Sequence, residues 1–354
     1  MTIDYSYAFE HGKHTLARVG VEGEDEENLR FIEKIKDQFF DKCGFAQDKE
    51  FNEQVTLRVR DIAVSCGVLD LSDRRQMFAF HNFCPAGLHF YRCSSVEKMV
   101  SALSFLNLLW FVDDLLDDKH LTAEESQNMI RSVCFCFDAK ETPESTDSYT
   151  SSNISRYASA VRDRLLIHMG REWVEEFSES YRKYATSSLK ETVHKKNCFS
   201  IEKYMKLRMY TSAVFPCQKL LSMLYDFKYE NCPEINRARF LSNRIVSFTN
   251  DIFSFEKEYN SNSANLIKLL MIERNLPLSG AVGFCVDLIN QDISELIKIE
   301  DGLDGDICSW KTKFLTGLKV MIQGNSMWSR GTKRYCTPTS PFIELRERYY
   351  SHIE

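Results

Sequence analysis

Glycine and proline are both scarce in this sequence, with 14 and 7 copies among 354 residues. These residues supply turns and interrupt helices, so their scarcity favours long helices over a fold with many tight turns. The sequence also contains no stretch in which apolar and polar residues strictly alternate, as they do along a half-buried strand. Together these absences predict an all-α fold.

Other absences argue against broad classes of protein. The 12 cysteines include no Cys-x-x-Cys pair and no secretory leader is recognisable, so we expect reduced thiols and a cytoplasmic protein. No run of 18 apolar residues is found, and no membrane span is expected. The net charge of −6 differs from the basic balance of proteins that bind nucleic acids. The motifs GxxxxGK, GxSxG and HExxH do not occur either.

Apolar residues recur with helical spacing through most of the chain. We therefore expect a single domain of ten or more helices over residues 26–354, preceded by a loosely ordered arm at 1–25. No change of composition marks a linker. The expected helices are 26–43, 55–66, 73–83, 95–118, 122–137, 154–196, 200–225, 233–258, 265–275, 278–298 and 307–323, followed by a short C-terminal one.

Individual residues predict where these helices begin and break. Thr122, with Glu125 three residues later, has the pattern of a capping box. Pro85-Ala-Gly87 is expected to break the chain, and Gly170 to divide the segment 154–196. Pro216 is expected to kink or interrupt the segment 200–225. Residues 329–341 are rich in Arg, Thr, Ser and Pro, which predicts a loop.

The most distinctive stretch is an apolar run, 105–112, that leads into four carboxylates: Asp113, Asp114, Asp117 and Asp118. On a helix this spacing places like charges at i,i+4, which destabilises an isolated helix by about 0.2–0.5 kcal/mol per pair. A bound cation would offset that repulsion, and oxygen ligands without His or Cys favour Mg²⁺. A calcium loop fits poorly because Leu115 stands where an oxygen ligand is required. A solvated helix end is the alternative interpretation.

A second cluster lies at residues 250–258. Asn250, Ser254 and Glu258 are spaced by four, so a continuous helix would present them along one side over about 12 Å. Helical side chains lean towards the N-terminus, so the long Glu258 and the two shorter side chains can converge on one ion. Such a set of low charge leaves room for phosphate oxygens on the same Mg²⁺. A polar helix face without a ligand is the alternative, although Asn and Ser are weak residues inside helices.

Together, the two clusters resemble the aspartate-rich (DDxxD) and NSE (NDxxSxxxE) motifs of class I terpene synthases, in the same order and about 140 residues apart. The segment 89–98 is similar to the microbial and social-amoeba members of that family. The segment 208–216 resembles the one that holds the family's diphosphate-sensing Arg, here Arg208. Arg334-Tyr335 resembles the C-terminal RY pair, and Trp328 stands where these enzymes often place a cavity aromatic. The resemblance covers residues 80–340.

The resemblance implies an α-helical bundle around a central cavity and a lyase that acts on a prenyl diphosphate. Three Mg²⁺ ions, for which Mn²⁺ is an expected substitute, would be held by the two motifs. With Arg208, Lys257, Arg334 and Tyr335 they would neutralise the leaving diphosphate. Aromatic faces can stabilise the resulting allylic cation. The cavity candidates are Phe105, Trp110, Phe248, Phe253 and Trp328, although core packing is the more common role of helical aromatics.

Several alternatives stay open on the sequence alone. Farnesyl diphosphate is the expected substrate, but the depth of the cavity does not follow from the sequence. A chain-elongating prenyltransferase of the same fold would usually carry two DDxxD motifs, whereas the second position here holds Asn250, Ser254 and Glu258. An inactive helical scaffold that binds isoprenoids is a further alternative. Either Asp117 or Asp118 can be the second acidic ligand, and the protein can be a monomer or a homodimer.

Overall fold

The computed structural model describes residues 29–36, 48–117, 121–138, 152–194, 200–261, 263–303 and 309–351. Within these ranges all regular structure is helical, which confirms the all-α prediction. The arm predicted at 1–25 and Asp118 lie outside the described residues, and of Asp117 only the backbone is described. In chain order the helices α1 to α14 are Lys49–Ser65, Arg74–Phe90, Val96–Asp117, Ala123–Phe137, Asn153–Met169, Arg171–His194, Ile201–Thr211, Val214–Leu224, Pro233–Phe253, Phe255–Ser261, Leu266–Glu273, Leu278–Asp301, Trp310–Gly331 and Ile343–Ser351.

Several helix ends follow directly from local sequence. The side chains of Thr122 and Glu125 form the predicted capping box at the start of α4. Gly170 separates α5 from α6 with a φ of 76°, a left-handed value that favours glycine. Near the N-terminus, the helix predicted over 26–43 is represented in the described residues by a 3₁₀ turn, Ile32–Lys34. The preceding Phe31 ring packs against Phe253 at the end of α9, with 5.2 Å between ring centroids.

Two predicted breaks are wrong in position. Helix α2 continues through Pro85 to Phe90, because its inner side is buried and that packing outweighs the one backbone bond that proline removes. The segment 200–225 is interrupted at Ala213, which has a φ of 57°, and not at Pro216. Pro216 lies in the first turn of α8, where a missing N–H has no helical partner to lose, so the break lies upstream of it.

The C-terminal loop is also shorter than predicted. Helix α13 extends to Gly331, so Trp328 and Arg330 are helical and the loop begins at Thr332. The extension matters for the site because it places the Trp328 side chain on a regular element. The indole ring is held there by a hydrogen bond of 2.9 Å from Nε1 to the Asn82 carbonyl oxygen on α2.

The helices that carry the two predicted motifs, α3 and α9, belong to one ring of packed helices. On one side α3 packs against α2, α2 against α13, and α13 against α9. On the other side α3 contacts α6, α6 packs against α7, and α7 contacts α9. Helix α8 touches α3, α6, α7, α9 and α13, so it lies within the ring. Long-range packing therefore joins segments that are far apart in the chain.

Helix α3 is the most apolar long helix of the bundle. The stretch Val96–Leu116 is long and apolar enough to cross a membrane, but 72% of its most apolar window is buried within the protein. A core helix of a globular bundle has the same character. Helix α3 therefore gives no support to a membrane span.

The crossing of α2 and α13 depends on a glycine in α13. A Cβ atom added to Gly324 would lie 2.0 Å from the His89 carbonyl oxygen and 2.9 Å from the Phe90 amide nitrogen. Both are backbone atoms, so no side chain can move aside to make room. The two helix backbones therefore approach each other as closely as they do only because Gly324 has no side chain.

We expect Gly324→Ala to lower the free energy of unfolding by about 3 kcal/mol, the upper end of the range for overpacked sites. Urea denaturation of the variant and the wild type measures the difference. Gly283→Ala is the matched control, because Gly283 lies inside α12 and an added Cβ meets nothing within 4 Å. That control should be neutral or more stable by up to about 1 kcal/mol. Equal stability of Gly324→Ala and wild type would contradict the close contact.

Candidate active site

The predicted helix over 233–258 is interrupted at Ser254, between α9 and α10. Two backbone bonds still cross the interruption: Ser254 N–H donates to the Asn250 carbonyl at 2.8 Å, and Glu258 N–H to the Ser254 carbonyl at 3.0 Å. The three residues therefore remain in register along one side. The Ser254 hydroxyl also donates to the Asn250 carbonyl at 2.7 Å, a local bond that often bends helices.

The Asn250 side chain joins two other predicted site residues. Its Oδ1 accepts a hydrogen bond of 2.8 Å from the Arg208 guanidinium on α7. Its Nδ2 donates to the Tyr335 hydroxyl at 2.9 Å. An amide, a guanidinium and a phenol that are far apart in the sequence thus meet at one place. All three carry hydrogen-bonding groups suited to an anion or to the ligand sphere of a hard cation.

Asp251 holds the Arg208 side chain in this arrangement. It was not among the predicted site residues. Its buried carboxylate accepts hydrogen bonds from Arg208 Nε at 2.8 Å, the Tyr204 hydroxyl at 2.8 Å and the Leu266 amide at 3.2 Å. Burial raises the pKa of Asp251, and these three donors oppose the rise. A sequence signal was available, because Asp251 lies on the same side of α9 as the apolar Phe248, and an Asp at such a position requires a buried partner.

Glu258 is the carboxylate of the second cluster. Burial, together with the nearby negative charge of Asp251, raises the pKa of Glu258 to about 7. Lys257 is exposed, and its positive charge opposes that rise. An ionised Glu258 is therefore electrostatically strained in the chain alone, and a cation would relieve the strain. With the amide oxygen of Asn250 and the hydroxyl of Ser254, the donor set consists of the hard oxygen atoms that Mg²⁺ prefers.

The acidic cluster lies at the C-terminal end of α3. Asp113 is half-buried and Asp114 is exposed. Within the described residues no three His, Cys, Asp or Glu side chains are grouped as a metal site. The cluster itself extends beyond them, through the side chain of Asp117 and through Asp118. Because a helix C-terminus carries partial negative charge, four acids there raise the need for a cation further.

Aromatic contacts connect the acidic end of α3 with the second cluster. Trp110 lies one turn before the acids and stacks on Phe83, with 4.4 Å between ring centroids. The ring of Trp328 lies 6.4 Å from Trp110 and 5.6 Å from Tyr335, whose hydroxyl contacts the second cluster. The Arg334 guanidinium lies 4.5 Å from the Phe83 ring centroid. Phe83 was missed because its burial on α2 is common to all core aromatics.

Of the other predicted cavity aromatics, Phe253 lies beside the site, with its ring 6.3 Å from that of Tyr335, whereas Phe105 and Phe248 lie elsewhere. Phe105 is fully buried, and its ring is 4.7 Å from Phe177 and 6.2 Å from Phe137, both in the neighbouring helices. Phe248 is also fully buried and lies 5.9 Å from the guanidinium of Arg244, which pairs with α12 through Asp292. These are the contacts of core residues. The structure therefore brings together Trp110 and Trp328 but not Phe105 and Phe248.

The all-helical bundle is the fold of the class I terpene synthases. The model of terpene synthase family 2, C-terminal metal binding, matches residues 104–295. That match covers more than half of the chain, so the chain belongs to this family, and the protein is a terpene synthase. The matched range includes both motifs and Arg208 but ends before Trp328 and the Arg334-Tyr335 pair.

Curated relatives and solved structures agree with this assignment. Terpene synthase 1 of Dictyostelium purpureum is 25% identical over 306 residues, which cover 81% of this chain and 79% of the relative. Terpene synthase 6 of Dictyostelium discoideum is 29% identical over 42% of this chain and 45% of the relative. Among solved structures, 2-methylisoborneol synthase from Streptomyces coelicolor, in complex with Mg²⁺ and 2-fluoroneryl diphosphate, has a TM-score of 0.70 at 16% identity. The superposition covers 81% of this chain and 94% of that enzyme, so the two proteins share a fold.

Proposed function

We propose that the protein is a Mg²⁺-dependent synthase that ionises farnesyl diphosphate, cyclises or rearranges the carbocation, and releases diphosphate. The observation that carries this proposal is the Asn250 side chain, which bonds Arg208 on one side and Tyr335 on the other. A guanidinium, a phenol and a candidate metal ligand thus converge where an anion of high charge would be held. The apolar tail of a prenyl diphosphate would pack against the aromatic residues beside these three groups.

The candidate ligands form two clusters, one from the C-terminal end of α3 onwards and one across the junction of α9 and α10. Mg²⁺ would supply positive charge that polarises the diphosphate oxygens and stabilises the leaving group. The residues that would hold the ions are Asp113, Asp114, Asp117, Asp118, Asn250, Ser254 and Glu258. We propose three ions, with Mn²⁺ as a substitute, because the resemblance to class I terpene synthases implies that number.

Side chains of this protein would neutralise the remaining negative charge of the diphosphate. Arg208 is fixed by Asp251 and Asn250, so its guanidinium is preorganised to donate hydrogen bonds. Burial raises the pKa of Tyr335, so its hydroxyl stays protonated and can donate to an oxyanion. Arg334 and the exposed Lys257 would complete the set. We assign no general base, because departure of the diphosphate needs none.

Trp110 and Trp328 are the aromatics we propose to face the carbocation, and Phe83, whose ring lies between Trp110 and the Arg334 guanidinium, would support them. The rings of Trp110 and Trp328 stack with 6.4 Å between their centroids, and aromatic faces attract cations. Phe105 and Phe248 would support the cavity wall from the core. We further propose a single helical domain over 26–354 that acts in the cytoplasm as a monomer or a homodimer.

Incubation with geranyl, farnesyl and geranylgeranyl diphosphates and Mg²⁺, followed by gas chromatography–mass spectrometry, tests the proposal. We expect a sesquiterpene from the farnesyl substrate and complete loss of product when EDTA removes the metal. Adding isopentenyl diphosphate tests the prenyltransferase alternative, because that enzyme would form longer diphosphates. Absence of a hydrocarbon or terpene alcohol with all three substrates would overturn the proposal.

A further inference from the structure

The position of the Glu258 carboxylate is not determined by helix α9 alone. Asn250 lies in α9, whereas Glu258 lies beyond the interruption at Ser254, in the short helix α10. The backbone bonds that cross the interruption hold only the main chain in register. Seven residues of α10 are too few to fix an orientation by helix formation alone. A tertiary contact is therefore needed to aim the carboxylate.

Asn265 makes such a contact. Its side chain is fully buried, and Nδ2 donates to Glu258 Oε2 at 2.8 Å and to the Asp251 carbonyl oxygen at 2.7 Å. Its Oδ1 accepts from the Ile267 amide at 2.8 Å, which caps helix α11. One amide thus ties together the end of α9, the carboxylate on α10 and the start of α11. An ionised carboxylate has about four acceptor sites, so a hydrogen bond from Asn265 is compatible with the binding of a metal ion.

We propose that Asn265 is a positioning residue that holds Glu258 in its metal-binding orientation. This inference rests on the proposed Mg²⁺ site, to which it adds a residue outside the motif. Outer residues that orient a ligand typically change metal affinity or activity by about 10–100-fold when they are replaced. The other interpretation is that Asn265 serves only as the N-cap of α11, in which case its replacement affects stability alone.

Two substitutions separate these roles. Asn265→Ser keeps a good N-cap residue but is too short to reach both Glu258 and the Asp251 carbonyl. Asn265→Gly also retains a tolerated cap and lacks the donors entirely. Asn290→Ser is the matched control, because the Asn290 amide bonds Lys36 N–H and the Lys34 carbonyl in the N-terminal segment. It removes a structural amide of the same kind without touching Glu258.

The measurement is the thermal unfolding of the full-length protein with inorganic diphosphate, as a function of Mg²⁺ concentration. Ligand binding to the folded state raises the melting temperature, so the midpoint of the rise reports Mg²⁺ affinity without turnover. We expect both Asn265 variants to need about 10–100-fold more Mg²⁺ for the half-maximal rise. Asn290→Ser should lower the melting temperature and leave the Mg²⁺ midpoint unchanged.

Each other outcome has a defined meaning. If the Asn265 variants melt earlier but keep the wild-type Mg²⁺ midpoint, the residue is only a cap and the inference is wrong. Glu258→Ala then tests the Mg²⁺ site itself. If this variant loses the Mg²⁺-dependent rise of the melting temperature, Glu258 binds the metal and the proposed function is retained. If wild-type protein shows no Mg²⁺-dependent rise at all, the metal site fails and the inference fails with it.

Discussion

Glu258→Gln is expected to lower kcat/KM for farnesyl diphosphate by at least about 10³-fold while the fold persists. The two side chains have nearly the same shape, and the Gln carbonyl oxygen can still accept the Asn265 hydrogen bond. What is lost is the negative charge, which the neutral ligands Asn250 and Ser254 cannot supply to the cation. The decrease should appear in steady-state assays over a range of Mg²⁺ concentrations.

Stability should respond differently from activity. Burial and Asp251 raise the pKa of Glu258 to about 7, so the charged form is disfavoured in the chain without metal. A neutral Gln removes that unfavourable charge, and the metal-free melting temperature should be unchanged or higher. Glu256→Gln is the matched control on the same helix, because Glu256 accepts a hydrogen bond from Thr337 and lies outside the triplet. Wild-type activity in Glu258→Gln would show that the negative charge of Glu258 is not needed at the metal site.

The helices themselves were largely predictable, because apolar periodicity and capping are local properties. Thr122 and Glu125 form their capping box wherever the rest of the chain lies. Pro85 shows the limit of such local signals. Its effect on the backbone is local, but α2 persists because Phe80, Phe83 and Cys84 are buried against other helices. Tertiary packing therefore decides whether a helix survives a proline.

The site shows the same division between local and long-range information. The spacing of Asn250, Ser254 and Glu258 identified the second cluster, but it assumed a continuous helix. The helix is interrupted at Ser254, where the hydroxyl donates to the Asn250 carbonyl oxygen. Helical periodicity in the sequence does not reveal this interruption. Phe105 was a reasonable cavity candidate by position, yet the direction of its ring depends on Phe137 and Phe177, which follow later in the chain.

Asp251→Ala is expected to lower the free energy of unfolding by about 3–5 kcal/mol, the range for breaking a buried ion pair. The carboxylate is fully buried, and only 13% of the Arg208 side chain is exposed. Its removal breaks the buried ion pair with Arg208 and the hydrogen bonds from the Tyr204 hydroxyl and the Leu266 amide. Urea denaturation, monitored by circular dichroism, measures the loss.

Glu295→Ala provides the matched control for burial. Glu295 forms a two-bond pair with Arg237, but the two side chains are 43% and 46% exposed, so about 0–1 kcal/mol is expected. Asp251→Asn should fall between the two, since an amide oxygen can still accept from Tyr204 but carries no charge. Equal effects of Asp251→Ala and Glu295→Ala would show that solvent reaches the Arg208 pair. The Arg208 guanidinium would then lack the rigid support on which its proposed role in binding diphosphate depends.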